Sequence, residues 1–101
     1  MGRNELSAAA AADIEAIFED SLARFGLTQT QAYFDSLQQC LELLGENPAL
    51  GASAEVLRPG YRRFPHRSHN IFYLAATQGI LVVRVLHRSM DAGPRVDRSQ
   101  P

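Results

Sequence analysis

The chain divides into two parts with different hydrophobic periods. Over residues 14–44 the apolar residues recur every three or four positions, which is the spacing of one face of an α-helix. Over residues 61–87 they fall instead into short runs rich in β-branched and aromatic residues, which is typical of strands. The pattern predicts an α+β domain in which the helices precede the sheet.

Glycine divides the helical part into two segments. Ser7 can cap the first helix, and Gly26 is placed to end it, because glycine readily adopts the left-handed backbone found just after a helix. Thr28 and Gln31 form a capping-box pattern at the start of the second helix. So short a connection predicts an antiparallel helical hairpin whose apolar faces pack on the sheet.

The strand-like part predicts an antiparallel β-meander. Its three strands are expected at residues 61–64, 70–75 and 80–87, joined by short connections. The second connection ends at Gly79, which favours a tight β-hairpin. Residues 46–59, which contain two prolines and a glycine, are expected to form a loop.

The last predicted strand is apolar on both faces. Strict alternation places Val82 and Arg84 on one face of the sheet and Val85 and His87 on the other. The helical hairpin can cover only one of these faces. We therefore expect the other face to be open and to serve as a binding surface.

The length of 101 residues fits a single domain. We expect the domain to span residues 1–91, with a weak first strand ending at Leu6, and residues 92–101 to form a mobile tail. The single cysteine, Cys40, fits a reducing compartment. No apolar run approaches the roughly 18 residues of a membrane span, and no signal peptide is recognisable, so a cytoplasmic protein is expected.

Charge is distributed unevenly between the two parts. Residues 1–55 contain two arginines and nine acidic residues, a net charge of 2 − 9 = −7. Residues 56–101 contain eight arginines and two aspartates, a net charge of 8 − 2 = +6. Either the two parts neutralise each other across the fold, or the sheet presents a positive surface to an acidic partner.

Several short blocks of the sequence resemble the ParE branch of the RelE/ParE superfamily of toxins from type II toxin–antitoxin systems. In chain order they are LS at 6–7, RFG at 24–26, NP at 47–48, LRPGYRR at 57–63, SHNIFY at 68–73 and RVLHRSM at 84–90. The chain departs from the family pattern at its start, where the usual aromatic residue before Leu6 is missing. This departure leaves the formation of the first strand as an open question.

The resemblance implies a short first strand, an antiparallel helical hairpin and an antiparallel β-meander. It also implies a toxin that inhibits DNA gyrase and replication and is neutralised by a ParD-like antitoxin. Such a protein acts by binding and not as an enzyme, needs no cofactor or metal, and is not expected to bind DNA or membranes itself. The candidate gyrase- or partner-binding residues are Arg62, Arg63, Arg84, His87, Arg88 and Met90.

Two other functions stay open. The RelE branch cleaves mRNA on the ribosome, which requires cations and acid–base groups around the scissile phosphate. Arg84 and His87 are candidates for this chemistry, but Asn70 stands where such ribonucleases carry an arginine, and the chain has no lysine. The second alternative is a non-toxic relative that still binds an antitoxin.

The candidate residues also have purely structural interpretations. Arg62 or Arg63 can form an ion pair with an acidic helix residue such as Asp13 or Glu19. His87, at the end of an apolar strand, can be a structural histidine.

Overall fold

The computed structural model describes residues 3–96 of the chain. Its elements, in chain order, are β1 (Arg3–Leu6), α1 (Ala8–Glu46), β2 (Ala52–Ser53), β3 (Tyr61–His66), β4 (His69–Ala76) and β5 (Gly79–His87), with a 3-10 turn at Pro48–Leu50. The strands form one sheet in the spatial order β1-β5-β4-β3-β2. This arrangement confirms the predicted α+β class.

Gly26 divides α1 into two arms, here called arm 1 (residues 8–25) and arm 2 (residues 27–46). Its φ of 82° and ψ of 175° are not helical, and its positive φ favours glycine. The rings of Phe18 and Phe34 lie 5.4 Å apart. In a straight helix these positions would be separated by about 24 Å. The chain therefore doubles back at Gly26, and the predicted helical hairpin is confirmed.

The first strand forms and pairs in parallel with β5 at one edge of the sheet. The register places Arg3 opposite Gly79 and Leu6 opposite Val82. Gly79 has a φ of +150°, and a Cβ atom there would lie 1.8 Å from the carbonyl oxygen of Arg3. Glycine is required at this position because the two backbones approach so closely.

The opposite edge carries a strand that the sequence pattern did not predict. β2 pairs with only two residues of β3, Arg62 and Arg63, within the segment expected to be a loop. Two paired residues are too few to produce a period-two pattern in the sequence, which explains the miss.

A β-bulge changes the alternation of side chains in β5. Phe72 pairs with Arg84, but the next residue, Tyr73, pairs with Val82, so Val83 is an extra residue in β5. Val82 and Val85 consequently belong to the same buried cluster. The predicted strict alternation, which put these two valines on opposite faces, is wrong because of this bulge.

Each face of the sheet has its own hydrophobic cluster. On the helix-covered face, residues of both arms pack against β4 and β5; the buried members are Ala10, Leu37, Cys40, Leu41, Leu44, Ile71, Tyr73, Ile80, Val82 and Val85. On the opposite face the buried members are Ala54, Tyr61, Phe72, Val83, Leu86 and Val96. The second face, expected to be open, is therefore partly covered by the chain itself.

The segment after β5 supplies part of this cover. Val96 is 6% exposed and belongs to the second cluster, and Ala92 packs against it. The amides of Arg95 and Val96 both donate to the carbonyl of Ala92, which forms one tight turn. Residues 97–101 of the predicted tail lie outside the described residues. The domain boundary at residue 91 stays a prediction.

Candidate functional site

A groove of about 820 Å³ lies between the helical hairpin and the end of β5. Both arms, the β3–β4 turn, β5 and the segment after it contribute side chains. The charged and aromatic ones are Asp13, Asp20, Arg24, Phe25, Tyr33, Arg67, His69, Arg84, His87 and Arg95. Apolar residues also line the groove: Ile17 and the buried Val85 form its floor, and the half-exposed Met90 lies at its rim, so the groove combines apolar surface with charge.

One wall of the groove is fixed by the ion pair between Arg84 and Asp13. Nε and Nη2 of Arg84 donate to the two carboxylate oxygens of Asp13 over 2.7 and 2.8 Å. The backbone amide of Val85 donates to the same carboxylate over 3.0 Å. The side-chain hydrogen bonds to Asp13 raise the pKa of Arg84. The bidentate geometry therefore joins arm 1 to β5.

One interpretation of Arg62 or Arg63 was an ion pair with an acidic helix residue such as Asp13 or Glu19; for Asp13 this is wrong, because Asp13 pairs with Arg84. β1 pairs with β5 only as far as Val82, which leaves the later edge of β5 unpaired by β1. The long side chain of Arg84 reaches Asp13 at this edge. Arg62 lies at the other edge of the sheet and donates to the carbonyl of Gly51 over 2.8 Å.

The three histidines of the chain lie close together near one end of the groove, and two of them, His69 and His87, line it. The Tyr33 hydroxyl lies 2.7 Å from Nδ1 of His69, and the rings of His69 and His87 lie 5.5 Å apart. Nε2 of His66 lies 3.0 Å from the hydroxyl of Ser36 on arm 2. The hairpin between β3 and β4 brings His66 and His69 into register, which the sequence spacing alone did not show.

Burial sets the protonation of Tyr33, His66 and His69. It raises the pKa of Tyr33 to about 12, so the hydroxyl stays protonated and can donate to His69. Burial, with His87 and His66 nearby, lowers the pKa of His69. Burial and the adjacent Arg67 also lower the pKa of His66. Both histidines are therefore neutral at pH 7, and the cluster acts as a hydrogen-bonding wall of the groove.

The groove carries an excess of positive charge. Four arginines and two aspartates line it, a balance of 4 − 2 = +2. Asp13 is paired with Arg84, and Asp20 is paired with Arg24 over 3.0 Å. Within the described residues, Thr30 also lines the groove with a buried hydroxyl that has no hydrogen-bond partner.

The structure brings together three of the six candidate residues. Arg84, His87 and Met90 line the groove, and Met90 is 47% exposed. The two side chains leave β5 on opposite faces, as expected: Arg84 pairs with Phe72 of the second cluster, and His87 pairs with His69 beside arm 2. They meet in the groove because the guanidinium of Arg84 extends to arm 1.

The other three candidates lie outside the groove lining. Arg88 is exposed just beyond β5, where its amide donates to the carbonyl of Ser68. Arg62 and Arg63 lie on β3, beside β2 at the far edge of the sheet. Their binding roles stay predictions.

Distant elements contribute groove residues that were not among the candidates. Tyr33 lies in the predicted second helix, and its hydroxyl meets His69, 36 positions away. Arg67 has a φ of 54°, which is uncommon for a residue with a side chain, and it sits in the tight turn before His69. The predicted strands left a five-residue connection at 65–69, whereas the structure closes the turn with Arg67 and Ser68 alone.

A further question is whether the structure contains metal-ligand clusters or membrane-spanning helices. Within residues 3–96, no group of three or more His, Cys, Asp or Glu side chains is placed to hold a metal ion. Within the same range, no helix is both long and apolar enough to cross a membrane.

Comparison with known proteins identifies the family. A family model described as the ParE toxin of the type II toxin-antitoxin system, parDE, matches residues 5–92. This chain belongs to the ParE toxin family. It is 39% identical over 95 residues to Toxin ParE1 of Mycobacterium tuberculosis, covering 93% of each chain. It is 40% identical over 87 residues to Toxin ParE1 of Caulobacter vibrioides, covering 86% of this chain and 90% of that one.

A solved structure shares the ParE fold described above. A chain from the chromosomal ParDE TA system of P. aeruginosa superposes with a TM-score of 0.72, covering 86% of this chain and 96% of that one. The identity is only 18%, so this likeness concerns the fold alone. Together with the family match, it confirms the resemblance to ParE toxins and the predicted fold, including the first strand whose formation was open.

Proposed function

We propose that this ParE-family toxin inhibits DNA gyrase and so blocks replication, and that it acts by contact and not by catalysis. The observation that carries the proposal is the state of Arg84. Its guanidinium is held by the carboxylate of Asp13 and also donates to the carbonyl of Arg95. A cation that is already paired in this way is a poor group for stabilising the developing charge on a phosphate.

The contact with gyrase is assigned to the exposed rim of the groove. Met90 and His87 lie on this rim, and Arg88 is exposed beside them. An exposed methionine next to an arginine suits a protein interface, because both residue types are enriched where proteins meet. Arg84 then contributes by fixing the end of β5, and not by touching the target.

We further propose that a ParD-like antitoxin occupies the groove, in the cytoplasm where toxin and target would meet. The positive balance of the lining favours a partner segment with acidic side chains. The apolar floor favours an aliphatic or aromatic side chain on the same segment.

A ribosome-dependent mRNA endonuclease is the second candidate function, and one observation favours it. Tyr33, His69 and His87 form an array beside Arg67 and line the open groove. A neutral histidine, a protonated tyrosine and a nearby arginine are groups that acid–base cleavage of a phosphodiester uses. In this case the histidines would be the catalytic groups, and His87→Gln would abolish the killing of cells that express the toxin.

The deciding experiment follows DNA and protein synthesis separately by pulse labelling after the toxin is expressed without antitoxin. The proposal predicts that DNA synthesis falls first while protein synthesis continues. A prior fall of protein synthesis would establish the endonuclease instead. Absence of growth arrest, with tight antitoxin binding retained, would identify a non-toxic relative.

Two matched variants locate the contact. Met90→Asp places a charge on the groove rim and is expected to abolish the effect on DNA synthesis. Val56→Asp makes the same kind of change at a residue that is 90% exposed and is not part of the groove lining, so it is expected to leave toxicity intact. Equal toxicity of the two variants would show that the rim of the groove is not the contact with gyrase.

A further inference from the structure

Arg84 contacts two parts of the chain that are far apart in sequence. On one side it binds Asp13 of arm 1, 71 positions earlier. On the other side its Nη1 donates to the carbonyl of Arg95, 11 positions later. The same guanidinium thus holds arm 1 and the segment of residues 91–96, here called the strap.

Within residues 3–96, the strap is held to the rest of the molecule by few interactions. Val96 and Ala92 pack on the second face of the sheet. Arg84 supplies a hydrogen bond to the strap backbone. The other hydrogen bonds of the strap to residues that the structure describes are internal: for example, Arg95 donates to the carbonyl of Asp91, and Gly93 donates to the side chain of Asp91. A segment with so little anchoring opens far more readily than the sheet beneath it.

Opening of the strap would uncover apolar surface. Val96 belongs to the cluster that contains Phe72, Val83 and Leu86, each of which is buried. Exposed apolar surface of this kind is typical of interaction sites. The strap therefore separates a closed form of this face from a form that a partner could contact.

We propose that Arg84 is a latch that transmits the position of arm 1 to the strap, so that breaking its pair with Asp13 opens the strap and uncovers the second face. The physical reason is orientation. A guanidinium held by two parallel hydrogen bonds to a carboxylate has its remaining donors fixed in direction. Without that carboxylate, Nη1 is no longer aimed at the Arg95 carbonyl. The latch is independent of which target the toxin has.

Amide hydrogen exchange tests the latch in the full chain. Asp13→Asn keeps the size of the side chain but removes its charge. The amides of Arg95 and Val96 donate to Ala92 in the docked turn, and so short a turn is unstable alone, so their exchange reports docking. We expect both to exchange about tenfold faster in Asp13→Asn, as when one charge-assisted hydrogen bond is weakened.

Asp20→Asn is the matched control. It removes the same charge from the same arm, but the partner of Asp20 is Arg24, four residues along the helix and exposed. Exchange in the strap should be unchanged in this variant. A soluble paramagnetic agent gives a second readout, because it should broaden the methyl signals of Val83 and Leu86 in Asp13→Asn only.

Two results would overturn the latch. One is unchanged exchange of the strap amides in Asp13→Asn. The other is equal acceleration of the strap and of the central strand β4, since that would mean general destabilisation. If Asp13→Asn does not fold, Arg84→Lys replaces it in the same test, because an ammonium cannot hold the carboxylate and the carbonyl in the same fork geometry. In Arg84→Lys, the amides of the strap should exchange faster, whereas those of β4 should exchange at the wild-type rate.

Discussion

The two faces of the sheet are closed in different ways. Long helical arms cover one face and bury large side chains such as Leu37, Leu44 and Tyr73. Short pieces of chain cover the other, where Ala54, Leu57 and Val96 lie over β3, β4 and β5. The burial of apolar area stabilises a fold roughly in proportion to that area. The helix-covered face therefore holds the fold together, whereas the opposite face can change at small cost.

The largest expected effect is a truncation on the helix-covered face. Leu44 is 0% exposed and belongs to the larger cluster. Leu44→Ala should lower the free energy of unfolding by about 3 kcal/mol, because it removes buried methyl groups and leaves a cavity. Chemical denaturation measures the change. A loss below about 1 kcal/mol would contradict the assignment of the main core to this face.

A polar change on the same face should cost somewhat less. The Tyr73 hydroxyl donates to the carbonyl of Pro48 over 2.7 Å and accepts from the amide of Gly51 over 2.8 Å. Tyr73→Phe leaves these groups without their partner and should lower the free energy of unfolding by about 2 kcal/mol. An unchanged denaturation midpoint would show that the loop at Pro48–Leu50 does not depend on this hydroxyl.

A truncation on the opposite face should cost least among the core changes. Val96→Ala removes two methyl groups from the cover of the second cluster, and we expect a loss of about 1 kcal/mol. If the strap opens locally, part of this effect will appear as faster amide hydrogen exchange in the strap and not as a lower denaturation midpoint. A loss of unfolding free energy as large as that of Leu44→Ala would contradict the difference in stability between the two faces of the sheet.

The smallest expected effect is that of pH. The pKa values of His66 and His69 are lowered from 6.5 in the folded chain, mainly by burial. The unfolded chain therefore binds more protons, so stability is highest above pH 6.5 and declines as the pH falls below it. Denaturation midpoints across this range measure the decline. His69→Asn, which keeps an acceptor for Tyr33, should reduce this loss of stability at low pH. If stability depended on pH as in the wild type, His69 would not be a source of the loss.

The order of the elements was readable from the sequence because each leaves a local signal. Gly26 separates two helical stripes, and the runs that became β3, β4 and β5 are bounded by turn residues. Of the two short edge strands, β1 leaves only a weak signal, ending at Leu6, and β2 leaves none. The bulge at Val83 arises from the pairing of two strands, so the sequence of β5 alone could not place it.

The groove could be predicted only in part, because distant elements build it. Arg84, His87 and Met90 were candidates from their block near the end of the chain. Their neighbours Tyr33 and Arg67 come from arm 2 and from the β3–β4 turn, and only the folded topology brings them there. The partner of Arg84 was missed for the same reason, since Asp13 lies 71 positions away.

The most direct test of the central claim is DNA supercoiling by purified gyrase in the presence of this chain. We expect the wild-type protein to inhibit supercoiling, Met90→Asp not to inhibit it, and a ParD-like antitoxin to restore the supercoiling activity of gyrase. Full supercoiling at every concentration of a folded wild-type protein would contradict the claim that the toxin acts on gyrase.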